Sequence, residues 1–257
     1  INFSFQDYYL QDLSKTGYVG FKNYYYLFND RNFISSLITT LIFVSSIILF
    51  TVTLGLALSV LLNQDFYGKG ITRILVISPF LIAPTVATGI WKLMLMSPTF
   101  GIFKWISKSF GFNPIDWFGD LPLFSIIIIV CWQWLPFALL ILLTALQSLP
   151  KNQVEAARID GANEIQIFLS ITINHLKRPI AIVIMLETIF VLNLFAHIYS
   201  TTNGGPGNAT TNLPYLIYQK ALLDYDVGGA AAGGIIAVIF ANIVAFFLLS
   251  FLSKNIN

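Results

Sequence analysis

Charge is scarce in this sequence: only 10% of its 257 residues are Asp, Glu, Lys or Arg, against 56% hydrophobic. Soluble globular domains carry about a quarter of their residues charged, so the composition excludes that class. A mean hydropathy of +0.77 points the same way, to an integral membrane protein. Cysteine is nearly absent. The single Cys131 lies inside an apolar segment, which excludes a disulfide framework or a thiolate metal cluster. Histidine is equally sparse, at two residues, and no clustered Cys, His or Asp spacing marks a metal site. No G-x-x-x-x-G-K-[S/T] stretch occurs, so the chain has no loop with which to cradle ATP phosphates. No basic run is interleaved with stacking aromatics, and a net charge of +2 gives no footing for nucleic acid. A nucleophile–base arrangement for a membrane enzyme is also missing.

What the sequence has in quantity is long apolar runs. Five of them, about Phe33–Leu62, Ile71–Met94, Leu121–Leu146, Ile180–Tyr199 and Gly229–Leu252, reach the roughly 20 residues a membrane helix needs. They predict an all-α integral membrane fold with five transmembrane helices. The first run carries Ser45, Ser46, Thr51 and Thr53, which can bond to backbone carbonyls or neighbouring helices. The second holds Pro79 and Pro84 and is expected to kink. Residues 1–32 form an outer segment rich in tyrosine, a residue that favours the water–lipid boundary. Ser97–Asp120 reads as an outer loop with an interfacial helix, and 253–257 as a cytoplasmic tail.

The most charged interruption between two strongly apolar runs is Glu155–Pro179, EAARIDGANEIQIFLSITINHLKRP. Good helix formers precede Gly161, which breaks the run because glycine tolerates the backbone angles of a sharp bend. Ile165, Phe168, Leu169 and Ile171 then recur at near-helical spacing. Two short helices bent at Gly161, lying on a membrane surface, are predicted. Glu155, Ala156, Ala157, Asp160, Gly161 and Ala162 resemble, position by position, the "EAA" loop of membrane permease subunits of binding-protein-dependent ABC importers. The match is closest to the maltose and glycerol-phosphate type. Asn174 stands where that motif's tail usually has its first proline, so the bend there is expected to be softer. The resemblance covers nearly the whole chain, including LLNQDFYGKGITRILVISPF, LTALQSLPKNQVEAARIDGA and NGGPGNATTNLPYLIYQKAL. HLKRPIAIVIMLETIF and YDVGGAAAGGIIAVIFANIVAFFL look most like the sorbitol/mannitol (polyol) branch.

The resemblance implies a type I permease fold in the bacterial cytoplasmic membrane, carrying a sugar or polyol. Residues 33–252 would be the permease domain, with 148–178 the cytoplasmic loop that docks on the ATPase. Because INFSFQDYY resembles the segment just after the first span in that family, a sixth, first span is expected ahead of Ile1; a natural five-span protein is the alternative. The partners implied are a second homologous permease, two ATP-binding cassette subunits, a soluble sugar-binding protein and membrane lipid. ATP and Mg would bind in the ATPase, and no cofactor is expected in this chain. The positive-inside rule only permits this orientation. Lys69, Arg73, Lys151, Arg158, Lys177, Arg178 and Lys254 would lie inside, and Lys15, Lys22, Arg31, Lys92, Lys104, Lys108 and Lys220 outside.

A permease of this kind needs a cavity with hydrogen-bonding groups and aromatic faces. At about 100° per residue, Leu186, Phe190, Asn193 and His197 fall within a narrow arc of the fourth run, with Glu187 just outside it. The equally open reading is that Glu187 and Asn193 bind neighbouring helices. Trp132, Gln133 and Trp134 are a second candidate group, or membrane anchors, and Asn242 a third. Gly204, Gly205, Pro206 and Gly207 form an outer turn that the resemblance places near the path. Gly228, Gly229, Gly233 and Gly234 are read as packing positions. The rival function is an ion-coupled secondary carrier in which Glu187 and His197 relay protons.

Overall fold

The computed structural model describes residues 1–12 and 16–256, without the side chains of 248–256. Lys15, counted above among the outer cations, and Asn257 of the expected tail lie outside the described residues. The described residues are mostly helical. A small antiparallel pair, β1 (Gln6–Asp7) and β2 (Gly17–Tyr18), lies near the start. Twelve α-helices follow: α1 (Lys22–Asn29), α2 (Arg31–Asn63), α3 (Lys69–Ile77), α4 (Pro84–Gly89), α5 (Ile102–Ser109), α6 (Pro122–Gln147), α7 (Lys151–Ile159), α8 (Glu164–Ile167), α9 (Ile173–Leu192), α10 (Ala196–Thr201), α11 (Leu213–Tyr218) and α12 (Val227–Ile256). Helix α12 runs on to Ile256, into the residues expected as a tail.

Three helices among the described residues are long and apolar enough to cross a membrane: α2, α6 and α12. The expected second span is broken. Ile82 and Ala83 are extended (ψ 133 and 141), dividing the run into Lys69–Leu81 and Pro84–Leu95, a fourth span only if the two pieces are taken together. The cause is that Pro84 disfavours helical backbone at Ala83. The fourth run also ends early. Helix α9 begins at Ile173, within the charged stretch, and stops at Leu192, and Asn193–Phe195 separate it from α10. The Asn212 amide donates to the Leu194 carbonyl, which α-helix would otherwise use. The single polar stripe expected across residues 186–197 is therefore not a continuous helical face.

Contacts group the residues into two units. The first comprises Ile1–Ser46, Ala83–Val130 and Ile189–Phe246. Its core joins Leu27 and Phe33 to Leu213, Leu216 and Ala232. Thr40 in α2 accepts the Leu213 N–H at 3.0 Å, so a hydroxyl facing the bundle positions the start of α11. The tyrosine-rich segment is pinned to the start of α12. Tyr8 O accepts both Val227 N and Gly228 N (3.0 and 3.2 Å), and Leu10 N donates to Tyr225 O at 3.0 Å. Gly228 permits this approach, since a Cβ there would lie 2.3 Å from Gln6 O.

The second unit comprises Ile47–Ile82, Cys131–Thr188 and Phe247–Asn257. Leu62 packs with Leu139 and Leu143, and Ala138 and Leu142 with Val183. Gly55 of α2 lies against α6, where an added Cβ would come 2.9 Å from Ala138 Cβ. Small residues at this crossing bring the backbones close enough for dispersion to hold them in lipid. The α2 hydroxyls are largely satisfied by their own helix: Thr51 bonds Ile47 O at 2.8 Å and Ser59 bonds Leu56 O at 2.7 Å.

Candidate functional site

The bend predicted at Gly161 is formed. Helix α7 ends at Ile159, and Gly161 adopts φ +84, the left-handed conformation of a helix C-terminus. Gly161 N donates to Arg158 O (3.1 Å) and Ala162 N to Ala157 O (2.9 Å), closing the last turn. Asn163 then caps α8 in a reciprocal box. Its Oδ1 accepts Gln166 N at 2.9 Å, while Gln166 Oε1 accepts Asn163 N at 2.8 Å. Across the bend, Arg158 donates from Nε and Nη2 to Glu164 Oε1, both at 2.9 Å. That carboxylate holds the guanidinium pKa above its ordinary value.

The hairpin turns its motif outward. Glu155, Ala156, Asp160 and Gly161 are exposed, with Ala157 and Ala162 half-buried. Beside them Ile159, Ile165 and Leu169 are 86%, 71% and 60% exposed. After α8 comes a wider helical turn, Phe168–Thr172, which passes into α9. Asn174 donates to Ser170 O at 2.5 Å and lies within α9. His175 Nε2 lies 3.0 Å from Ala145 O and 3.2 Å from Ser148 Oγ, tying α9 to the end of α6. The capping box, the Arg158–Glu164 clasp and His175 were not singled out as site residues from sequence, although Asn163-x-x-Gln166 is a visible N-terminus signature.

The candidate substrate residues are dispersed. Glu187 is fully buried in the second unit. Its Oε2 accepts Thr51 Oγ1 at 2.5 Å, and Oε1 has no hydrogen-bond partner among the described residues. In the first unit, Phe190 and Asn193 are exposed, Asn193 Nδ2 bonds Ile189 O at 2.8 Å, and His197 is buried. Gln133 is buried and donates to Ile82 O at 2.5 Å, supplying the carbonyl stranded at the broken second run. Trp134 packs edge-on against Phe80, and Trp132 is half-buried. Asn242 bonds back to Val238 O and is exposed. The Gly204–Gly207 turn is held by Thr210 and Thr211, whose hydroxyls donate to Gly205 O (3.0 Å) and Gly204 O (3.2 Å). No group of His, Cys, Asp and Glu able to hold a metal occurs among the described residues.

The bent helix pair carries Glu155–Ala162 on an exposed turn between α6 and α9. Residues 30–257 match the family described as "Binding-protein-dependent transport system inner membrane component". The chain belongs to this family. It is 36% identical over 228 residues to a probable ABC transporter permease protein, y4oQ, of Sinorhizobium fredii, covering 88% of this chain and 74% of that one. It is 35% identical over 216 residues to the trehalose/maltose transport system permease protein MalF of Thermococcus litoralis, covering 83% and 73%. A bacterial alginate ABC transporter, solved with an alginate pentasaccharide-bound periplasmic protein, has a chain of the same fold. Its TM-score is 0.82 at 21% identity, over 93% of this chain and 84% of that one. This inner-membrane component therefore has relatives that are transport subunits and not enzymes.

Proposed function

We propose that this chain is the permease subunit of an ATP-driven importer of a carbohydrate, and that the hairpin at Gly161 is its coupling element. The hairpin carries the reading. A rigid, capped helix pair that presents Glu155, Asp160 and Ile159 to the outside of the fold is built to be gripped by another protein. A segment that only lay on lipid would turn its apolar side chains one way and its charges the other; here Ile159, Ile165 and Leu169 share the exposed surface with Glu155, Arg158 and Glu164. The hairpin faces the cytoplasm and residues 1–32 the outside. Five spans follow: α2, the broken Lys69–Leu95 segment, α6, α9 with α10, and α12. The partners are a second permease, two ATPase subunits that bind ATP and Mg, and a soluble binding protein.

Carbohydrate as the cargo draws on the relatives named for trehalose, maltose and glycerol phosphate, and polyol on the likeness of residues 175–190 and 225–248. Binding energy from ATP closes the ATPases, the hairpin moves with them, and α9 carries the displacement to Glu187. The test is uptake in proteoliposomes rebuilt from this permease and its own partners, with labelled sorbitol, mannitol and maltose. Uptake that needs ATP and binding protein is expected. Transport by this chain alone, driven by a proton gradient, would overturn the proposal.

A further inference from the structure

We propose that the polar cavity between the first 30 residues and the start of α12 is a binding subsite for one neutral polyhydroxylated molecule, a monosaccharide or a polyol. The inference rests on the carbohydrate reading above and adds a place where such a ligand touches this chain. The cavity encloses about 350 Å³, at the small end of the range for small-molecule sites. That suits one ring and not an oligosaccharide. Its wall includes Asp7, Lys22, Tyr26, Asp30, Lys220 and Asp226.

The wall is fixed before any ligand arrives. Asn23 Nδ2 donates to Ser4 O and Gln6 O at 3.0 and 2.9 Å, and the Tyr8 carbonyl binds the α12 start. Lys220 Nζ sits 3.2 Å from Asp30 Oδ2, with both side chains about a quarter exposed. Lys22 Nζ is 3.8 Å from Asp7 Oδ2, too long for a direct hydrogen bond, and 5.6 Å from the centre of the Tyr26 ring. Asp226 Oδ1 accepts Gly229 N at 2.7 Å. Each ammonium keeps unused protons and each carboxylate unused lone pairs.

Charge decides the ligand class. Three carboxylates against two ammonium groups leave the wall at −1, which disfavours a phosphate or an acidic sugar. A metal ion is disfavoured as well, because two ammonium groups line the same wall and Lys220 already pairs with Asp30. A hydroxyl both donates and accepts, so it can insert between a carboxylate and an ammonium group without leaving either unpaired. Several hydroxyls on one small frame match several such couples.

The test uses the complete complex in lipid nanodiscs, without binding protein or ATP. Saturation-transfer NMR is read with sorbitol, mannitol, glucose and glycerol 3-phosphate as probes, and proteoliposome uptake is measured alongside. A neutral probe should bind wild type and lose about tenfold or more in affinity in Lys220→Gln, as expected for one charge-assisted hydrogen bond. The Asp30→Asn/Lys220→Gln double variant removes both charges so that neither is left unpaired, carries the comparison if the single variant does not assemble, and should also bind weakly. Wild-type affinity in whichever variant assembles, no neutral probe bound, or tighter binding of glycerol 3-phosphate would overturn the subsite. Carbohydrate uptake by the same preparation would then leave the transport reading standing. A complex that takes up no carbohydrate would remove that reading, and this inference with it.

Discussion

Gly161 separates two physical effects that substitution usually mixes. Its φ of +84 is one that L side chains adopt at a cost of about 1–2 kcal/mol. A Cβ at this position meets nothing within 4 Å, so Gly161→Ala should cost the backbone term alone. That amounts to a shift of about 5- to 30-fold in the ratio of formed to unformed bend. Proline is different in kind. Its ring fixes φ near −65°, roughly 150° away, and removes an N–H that now donates to Arg158 O. The turn cannot then form, and both the Ala162–Ala157 closure and the Arg158–Glu164 clasp go with it. The assay is uptake per ATP hydrolysed by the complete complex in proteoliposomes. Gly161→Ala should lower uptake by no more than about 30-fold, and an ATPase that grips the hairpin should reduce the deficit further. Gly161→Pro should abolish uptake while hydrolysis continues. Normal coupled uptake by Gly161→Pro would refute the coupling role, and equal loss in both variants would refute the conformational reasoning.

Three further expectations concern stability and can be read by thermal unfolding in detergent or nanodiscs. Gly228→Ala places a Cβ 2.3 Å from Gln6 O, which forces backbone to move and should cost about 1–3 kcal/mol; an unchanged Tm would mean that the outer segment is not seated as described. Gln133→Leu strands the Ile82 carbonyl and should cost about 1–3 kcal/mol, whereas Gln133→Glu, which cannot donate when ionised, should be no better. Thr51→Val removes the hydrogen bond to buried Glu187 and should destabilise by about 1–3 kcal/mol. Adding Glu187→Leu to that variant should recover stability, since the unpaired carboxyl is then gone, and a further loss would show that Glu187 has another partner.

The parts of this fold that follow from neighbouring residues were legible in the sequence. Gly161 announced its bend, and the apolar lengths of α2, α6 and α12 their helices; Pro79 and Pro84 announced a kink where the structure has a full break. The parts that depend on distant residues were not. Nothing between Leu192 and Ala196 is glycine or proline, and the interruption there is satisfied by Asn212, eighteen positions along the chain. A helical wheel across residues 186–197 was therefore the wrong projection. Gln133 likewise reads locally as one polar residue between tryptophans, and the carbonyl left open at Ile82, a distant position, is a structural partner the sequence does not reveal. The hydroxyls of α2 were ambiguous for the same reason: Thr40 and Thr51 look alike in sequence, yet one positions α11 and the other meets Glu187.

The bonds from Tyr8 and Leu10 to Tyr225–Gly228 also order events during synthesis. The outer segment is made ahead of its hydrogen-bonding partners, which follow more than two hundred residues later. Through most of translation Tyr8 O and Leu10 N have only water to bond. A chain that stops short of Tyr225 would leave them so permanently. Cleavage by an external protease near Tyr8–Leu10 is therefore a timer, open while the permease is unfinished and closed once α12 has been threaded.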